Sequence, residues 1–225
     1  MNRENRFISE SEARRLMVNI GRRLYDKAFI SATDGNMSCR VGDNRFLVTP
    51  SGVCKGFLSE DDLIVVAGDG RIIEGKGKPS SEIRVHLLAY ALREDIRAVV
   101  HAHPPILTAI TLAKIPFDAA LLPELWVTVG SIPIAPYATP STEDLSESVR
   151  PFIPNHNAIL LERHGSLTMA SDLEQAFFML EKLEHAALVF VISFILSGGK
   201  IPQPLSGEDL ARLSEAFSRY STVSS

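Results

Sequence analysis

Two Gly/Asp turns, Gly42-Asp43-Asn44 and Gly68-Asp69-Gly70, fall in the first third of the chain, each between short apolar runs. Met37 to Arg40 and Arg45 to Thr49 flank the first turn; Asp62 to Val66 and Arg71 to Ile73 flank the second. Gly, Asn and Asp accept the positive φ that tight turns demand, so both stretches read as antiparallel hairpins. Further along, the apolar runs Ala98 to Ala102 and Asn157 to Glu162 stand between segments of helical periodicity. Hairpins at one end and helix-separated strands at the other are satisfied together by a mixed sheet with helices on both faces.

The helices are marked by caps and by apolar spacing. Ser9 and Glu12 form a capping-box pattern ahead of Ala13, Leu16, Met17, Ile20 and Leu24, predicting a helix over 10–27. Further helices are expected over 81–93, 106–112, Thr142 to Arg150, and from a Ser171/Glu174 box to Gly198-Gly199, with a last amphipathic one over 208–220. In the stretch 116–137, Trp126-Val127-Thr128-Val129 and Ile132-Pro133-Ile134 read as strands.

Composition excludes several classes. With 45% apolar residues in 225, the chain can bury a sizeable core, and one domain spanning 1–225 is expected. A formal charge of −4 argues against nucleic-acid binding, which calls for a basic face. The longest apolar run, Ala186 to Leu196, has eleven residues, whereas a membrane span needs about 20. No apolar segment follows Met1 to Arg6, and the two cysteines make no framework, so a cytoplasmic setting is expected. Mean hydropathy of +0.09 owes much to 186–196 and 121–129, apolar stretches that contacts between subunits would cover.

Six histidines are present, and their positions differ in meaning. In Val99-Val100-His101-Ala102-His103-Pro104 a strand places His101 and His103 on one face, roughly 6.6 Å apart at Cα, with Val100 and Ala102 turned to the core. Two imidazoles so placed can converge on one ion. His164, in Arg163-His164-Gly165, also comes directly after an apolar strand, and three histidines are the usual protein share of an open catalytic zinc site. Glu82 stands in the first turn of a helix, where it could join the histidines or simply complement the helix dipole. His86, one turn later, is a rival ligand, although Leu87, Leu88 and Tyr90 around it suit a core histidine; His156 and His185 read as structural.

Three small-residue loops, Asp34-Gly35-Asn36, Thr49-Pro50-Ser51-Gly52 and Lys78-Pro79-Ser80-Ser81, offer hydroxyls and amides, the last at a helix start. Each is an ordinary turn or cap taken singly; together they could cradle a phosphate. An acidic chain needs local positive potential for that, here expected from a metal and a helix N-terminus.

Taken in order, TDGNMSCR, FLVTPSG, GKPSSEIRVHLLAY, AVVHAHPP, SIPIAPYATPSTEDLSESV and LLERHGSL resemble the class II aldolase/adducin family over nearly the whole chain. The resemblance implies a three-layer α/β/α fold with a central mixed, mostly antiparallel sheet, and a homotetramer with active sites between subunits. It implies zinc, with manganese or another divalent ion as the alternative, held by His101, His103, His164 and Glu82. Glu82 would also be the catalytic acid/base. Asn36, Ser51, Gly52, Ser80 and Ser81 would bind a substrate phosphate, and Tyr220 would close over the site. Aldolases of the family carry a tyrosine proton donor before SIPIAPYAT, but Phe117 to Trp126 contains none; Glu124 is the candidate there, placed like the catalytic glutamate of the family's dehydratases. The expected reaction is retro-aldol cleavage of a ketose 1-phosphate, of the L-fuculose 1-phosphate kind, to dihydroxyacetone phosphate and an aldehyde. The alternatives are a sugar-phosphate dehydratase or decarboxylase using Glu124, then a 4-epimerase, whose branch tends to carry Asp in place of Glu82, and lastly an adducin-like protein without activity.

Overall fold

A computed structural model describes residues 7–221. The order is α1 (Glu10–Asp26), β1 (Asn36–Gly42), β2 (Arg45–Val48), β3 (Ile64–Val66), β4 (Ile72–Glu74), α2 (Ile83–Leu92), β5 (Ala98–Ala102) and α3 (Pro105–Ala113), then α4 (Pro123–Val129), β6 (Ile134–Ala135), α5 (Glu143–Val149), β7 (Ala158–Leu161), β8 (Gly165–Ala170), α6 (Leu173–Leu196) and α7 (Gly207–Ser221). The eight strands form one sheet in the order β4-β3-β2-β1-β5-β8-β7-β6. Every pairing is antiparallel except β6 with β7, so the sheet is mixed and mostly antiparallel, as expected.

Strand alternation sets the three layers. Met37, Cys39, Leu47, Val65, Val100 and Ala102 point to one face and pack with α1 and the first half of α6. Phe46, Val48, Ile64, Val66, Val99, Leu167 and Met169 point to the other and pack with α2 and α5. A third cluster joins Ala158 and Leu160 of β7 to α3, α4 and α6. Met17, Ile20 and Phe177 are fully buried between α1 and α6, and burial of side chains this large stabilises by about 1.5–3 kcal/mol each.

Four local expectations change. Residues 126–129 are helical, not extended: Pro123 opens α4, Leu125 and Val129 bury one turn apart, and that docking outweighs the β-branched run. Of the second strand in that region only Ile134–Ala135 pairs. The α6 cap is Asp172 rather than Ser171, its carboxylate accepting from the Gln175 N–H at 2.7 Å. Residues 165–170, for which the sequence pattern predicts no element, form β8 and close a tight hairpin with β7. Among the described residues no helix is long and apolar enough to cross a membrane. The end of α6 nevertheless leaves Leu188, Ile192, Ile195 and Leu196 exposed.

Candidate active site

The site lies where β1, β5 and the β7–β8 hairpin meet the start of α2. Asn36 pairs with His101 across β1 and β5, so their side chains stand together on the α2 face. His103 comes just after β5, its N–H donating to the Phe29 carbonyl at 2.8 Å. His164 sits in the β7–β8 turn beside Arg163, which holds a left-handed φ of 62°. Gly165 lets that turn rest on the His101–His103 segment: a Cβ there would lie 2.3 Å from the Ala102 carbonyl oxygen and 2.8 Å from the His103 ring. Gly35, at φ 70°, likewise passes within what would be 3.0 Å of the His101 carbonyl.

The three rings converge. His101 Nε2 and His103 Nε2 are 2.9 Å apart, and the nearest nitrogens of His101, His103 and His164 all lie within 4.8 Å of one another. Glu82 closes the group, its Oε2 3.2 Å from His101 Nε2 and its Oε1 3.4 Å from His164 Nε2. Asn36 Nδ2 donates to Glu82 Oε2 at 2.9 Å. Glu82 is the N-cap residue of α2 but makes no capping hydrogen bond, so its carboxylate turns to the histidines. Helix α2 thus begins after Ser80 and Ser81, two residues later than the sequence suggests.

These groups fit a divalent cation. His101 Nδ1 donates to the Ser166 carbonyl at 2.9 Å, which leaves the lone pair on Nε2, facing the other rings. Burial pushes His101 well below the usual imidazole range, helped by the neighbouring His164. His103 and His164 are also lowered by burial, while Asp34 and Glu82 pull both back up. Three neutral imidazoles and one carboxylate form the donor set of an open metal site.

A cavity of about 430 Å³ opens beside this cluster, lined by Asn36, Ser51, Gly52, Ser80, Ser81, Glu82, His103 and His164. Its two loops are paired with each other: Pro50 bridges Pro79, Ser51 N–H donates to the Lys78 carbonyl at 2.9 Å, and Ser80 N–H to the Thr49 carbonyl at 3.3 Å. All the residues expected to hold a phosphate therefore line the cavity that the metal-type donors face.

The family model for the class II aldolase and adducin N-terminal domain matches residues 15–191. The chain belongs to the class II aldolase/adducin family. The L-fuculose phosphate aldolase of Escherichia coli K12 is 36% identical over 189 residues, 84% of this chain and 86% of the relative. The 3-oxo-tetronate 4-phosphate decarboxylase of Pectobacterium atrosepticum is 33% identical over 210 residues, 92% of this chain and 94% of the relative. A solved L-fuculose 1-phosphate aldolase superposes with a TM-score of 0.82 at 28% identity, covering 95% of this chain and 99% of that one.

Within this family fold, other candidates fall elsewhere. His86 is buried on the inner side of α2, its Nδ1 2.7 Å from Ser38 Oγ, which also contacts Tyr90 OH at 2.7 Å; it lies outside the metal-type cluster. His156 Nδ1 donates to the Phe152 carbonyl at 2.9 Å. Glu124 lies on α4 in a different hollow, of about 510 Å³, with Glu181, Lys182 and His185 of α6, and does not line the histidine cavity of the same chain. Tyr220 belongs to α7, and its side chain is outside the described residues.

Three residues that sequence reasoning missed bear on the site. Lys55 and Ser141 line the cavity, Ser141 through a 2.6 Å contact between its Oγ and that of Ser81. Glu184 of α6 accepts from the N–H groups of Ile106 and Leu107 at 2.8 and 3.0 Å. It thereby caps α3, whose own cap position is Pro104, immediately after His103. Burial raises the Glu184 carboxyl, and those two N–H groups pull it back.

Proposed function

We propose that this chain is a metal-dependent lyase that cleaves a ketose 1-phosphate to dihydroxyacetone phosphate and an aldehyde. The observation that carries this reading is the convergence of His101, His103, His164 and Glu82 at the mouth of the cavity lined by Asn36, Ser51, Gly52, Ser80 and Ser81. The cation is zinc in this reading, with manganese or another divalent ion as the alternative. When bound to these four residues, it supplies Lewis-acid polarisation of the substrate carbonyl.

The side chains divide the remaining work. Asn36, the Ser51-Gly52 turn and Ser80-Ser81 hold the phosphate and so set which substrate carbon lies next to Glu82. Cleavage breaks the C3–C4 bond: a base takes the C4 hydroxyl proton, the new aldehyde leaves, and the bonding pair stays with C3. Glu82, held by Asn36, returns a proton to C3. Glu124 and Tyr220 are the candidates for the C4 hydroxyl proton. Since Glu124 lies in another hollow of its own chain, it would act on the site of a neighbouring copy. We therefore infer a homotetramer with active sites between subunits, whose contacts cover the exposed end of α6 and the α4 groove.

One observation favours a second reading. The stretch Phe117 to Trp126 holds no tyrosine, and the tetronate-phosphate decarboxylase relative is matched over a larger share of both chains than the aldolase of Escherichia coli K12. A decarboxylase, or a dehydratase, with Glu124 as the acid/base is that alternative. The test is to load the enzyme with zinc, offer a panel of ketose 1-phosphates, and assay dihydroxyacetone phosphate by coupled reduction. Product from at least one is expected. No product from any, with release of carbon dioxide from a 3-oxo acid 4-phosphate, would replace the aldolase reading by the decarboxylase.

A further inference from the structure

Lys55 opens a short 3-10 turn, Lys55–Phe57, just beyond the Thr49–Gly52 loop. It is 2% exposed, yet it lines the cavity that also holds Asn36, Ser51, Ser80 and Ser81. Its Nζ donates to the Thr33 carbonyl oxygen at 2.5 Å. An ammonium has three donors, so two remain after that bond. Among the described residues no carboxylate forms an ion pair with it, although Asp34 and Glu82 are near enough to offset part of the downward pull of burial on its pKa. A buried cation without a paired anion is costly unless something in its surroundings answers the charge.

The rest of the cradle lacks that charge. Among the described residues that line the cavity, Lys55 is the one lysine or arginine. Asn36, Ser51, Ser80 and Ser81 offer neutral donors. The N-terminus of α2 cannot replace a cation either, because its cap residue is Glu82, a carboxylate. Strong recognition of a phosphate dianion calls for a charge-assisted donor. We propose that Lys55 is the charged recognition group for the substrate's phosphate and selects phosphorylated substrates over their unphosphorylated sugars.

This inference rests on the reading that the cavity takes a phosphorylated substrate, but not on which bond is then broken. Inorganic phosphate is titrated calorimetrically into zinc-loaded wild-type enzyme and into Lys55→Met and Lys55→Gln. Methionine keeps the buried stem; glutamine keeps a donor for the Thr33 carbonyl. Both should fold and bind zinc like the wild type, while phosphate binds about 10- to 100-fold more weakly, as for loss of one charge-assisted bond. For a cleaved ketose 1-phosphate, KM should rise by a similar factor, and the preference for the phosphorylated over the unphosphorylated sugar in kcat/KM should narrow. A wild type that binds no phosphate, or a folded variant that binds it within twofold of wild type, overturns the inference. An enzyme that loses phosphate with Lys55 but cleaves no ketose 1-phosphate upholds it and rejects the aldolase reading alone.

Discussion

The histidine cluster and the α4–α6 hollow both gather titratable side chains, but they are built in opposite ways. At the cluster, three strands and a helix start bring His101, His103, His164 and Glu82 together, and three of the four are held from within the chain: His101 by Ser166, Glu82 by Asn36, the His103 segment by Phe29 and by the Glu184 cap on α3. In the hollow, Glu124, Glu181, Lys182 and His185 stand among Leu122, Leu125 and Val189. There Glu181 pairs outward with Arg23 and Lys27, and Lys182 reaches Thr128, while among the described residues Glu124 does not line the histidine cavity. A site that is to bind a cation and a phosphate needs rigid, mutually answered donors. A group that serves a neighbouring copy is left at a surface, with apolar rims that another copy can cover.

The largest loss is expected for His101→Ala. That change removes the donor whose tautomer is fixed and which touches both His103 and Glu82. Under the proposed function, protein loaded with zinc should lose most of its bound metal on this change, and activity should fall by at least about 1,000-fold, since Lewis-acid stabilisation is lost with the cation. Metal analysis alongside turnover checks this. Full zinc content in the variant would mean that the cluster is not the metal site.

Next in size is a pair of variants that tests whether the hollow serves another copy. Glu82→Gln and Glu124→Gln should each lower turnover by about 100- to 10,000-fold, the range for a lost general acid/base. Glu124→Gln should leave zinc content and melting temperature unchanged. If one subunit supplies Glu82 and its neighbour Glu124, mixing the two inactive proteins under exchanging conditions restores part of the activity, because some interfaces then carry both native residues. Activity that stays at the level of the separate variants, with subunit exchange shown by mass spectrometry, would mean that Glu124 does not serve the site of a neighbouring copy.

Much of the cluster is legible in the sequence because its signals are local. The period of a strand puts His101 and His103 on one face, and Pro104-Pro105 ends β5 at the boundary expected from sequence. The Gly/Asp turns likewise mark β1–β2 and β3–β4. The parts that escape depend on distant partners. Glu184 caps α3 from 77 residues away, and no local pattern announces that bond. Lys55 carries no motif, since its meaning comes from a fold that buries it beside Ser51 and Ser80. The Trp126 to Val129 run has strand propensity, and only its docking on α6 makes it a helix. His86 is a fair rival as a ligand on spacing alone, which shows that it stands one turn after Glu82 but not that its ring turns toward Ser38 and Tyr90.

The smallest effect is expected at His86, which lies outside the histidine cluster. It is buried, hydrogen-bonded through Nδ1, and without a partner at Nε2 among the described residues, and burial pushes its pKa from 6.5 down to about 4. The unfolded chain therefore takes up a proton near pH 6.5 that the folded chain refuses until about pH 4. The stability that the neutral ring contributes is fully present above pH 6.5 and is lost as pH falls through that window. In His86→Leu this contribution is absent, while Ser38 and Tyr90 keep each other as partners. Chemical denaturation at pH 7 and pH 5 should show the wild type losing about 2 kcal/mol more than the variant across that interval. Equal losses in the two proteins would mean that His86 is protonated in the folded state, and that the inner face of α2 answers a charge rather than excluding one.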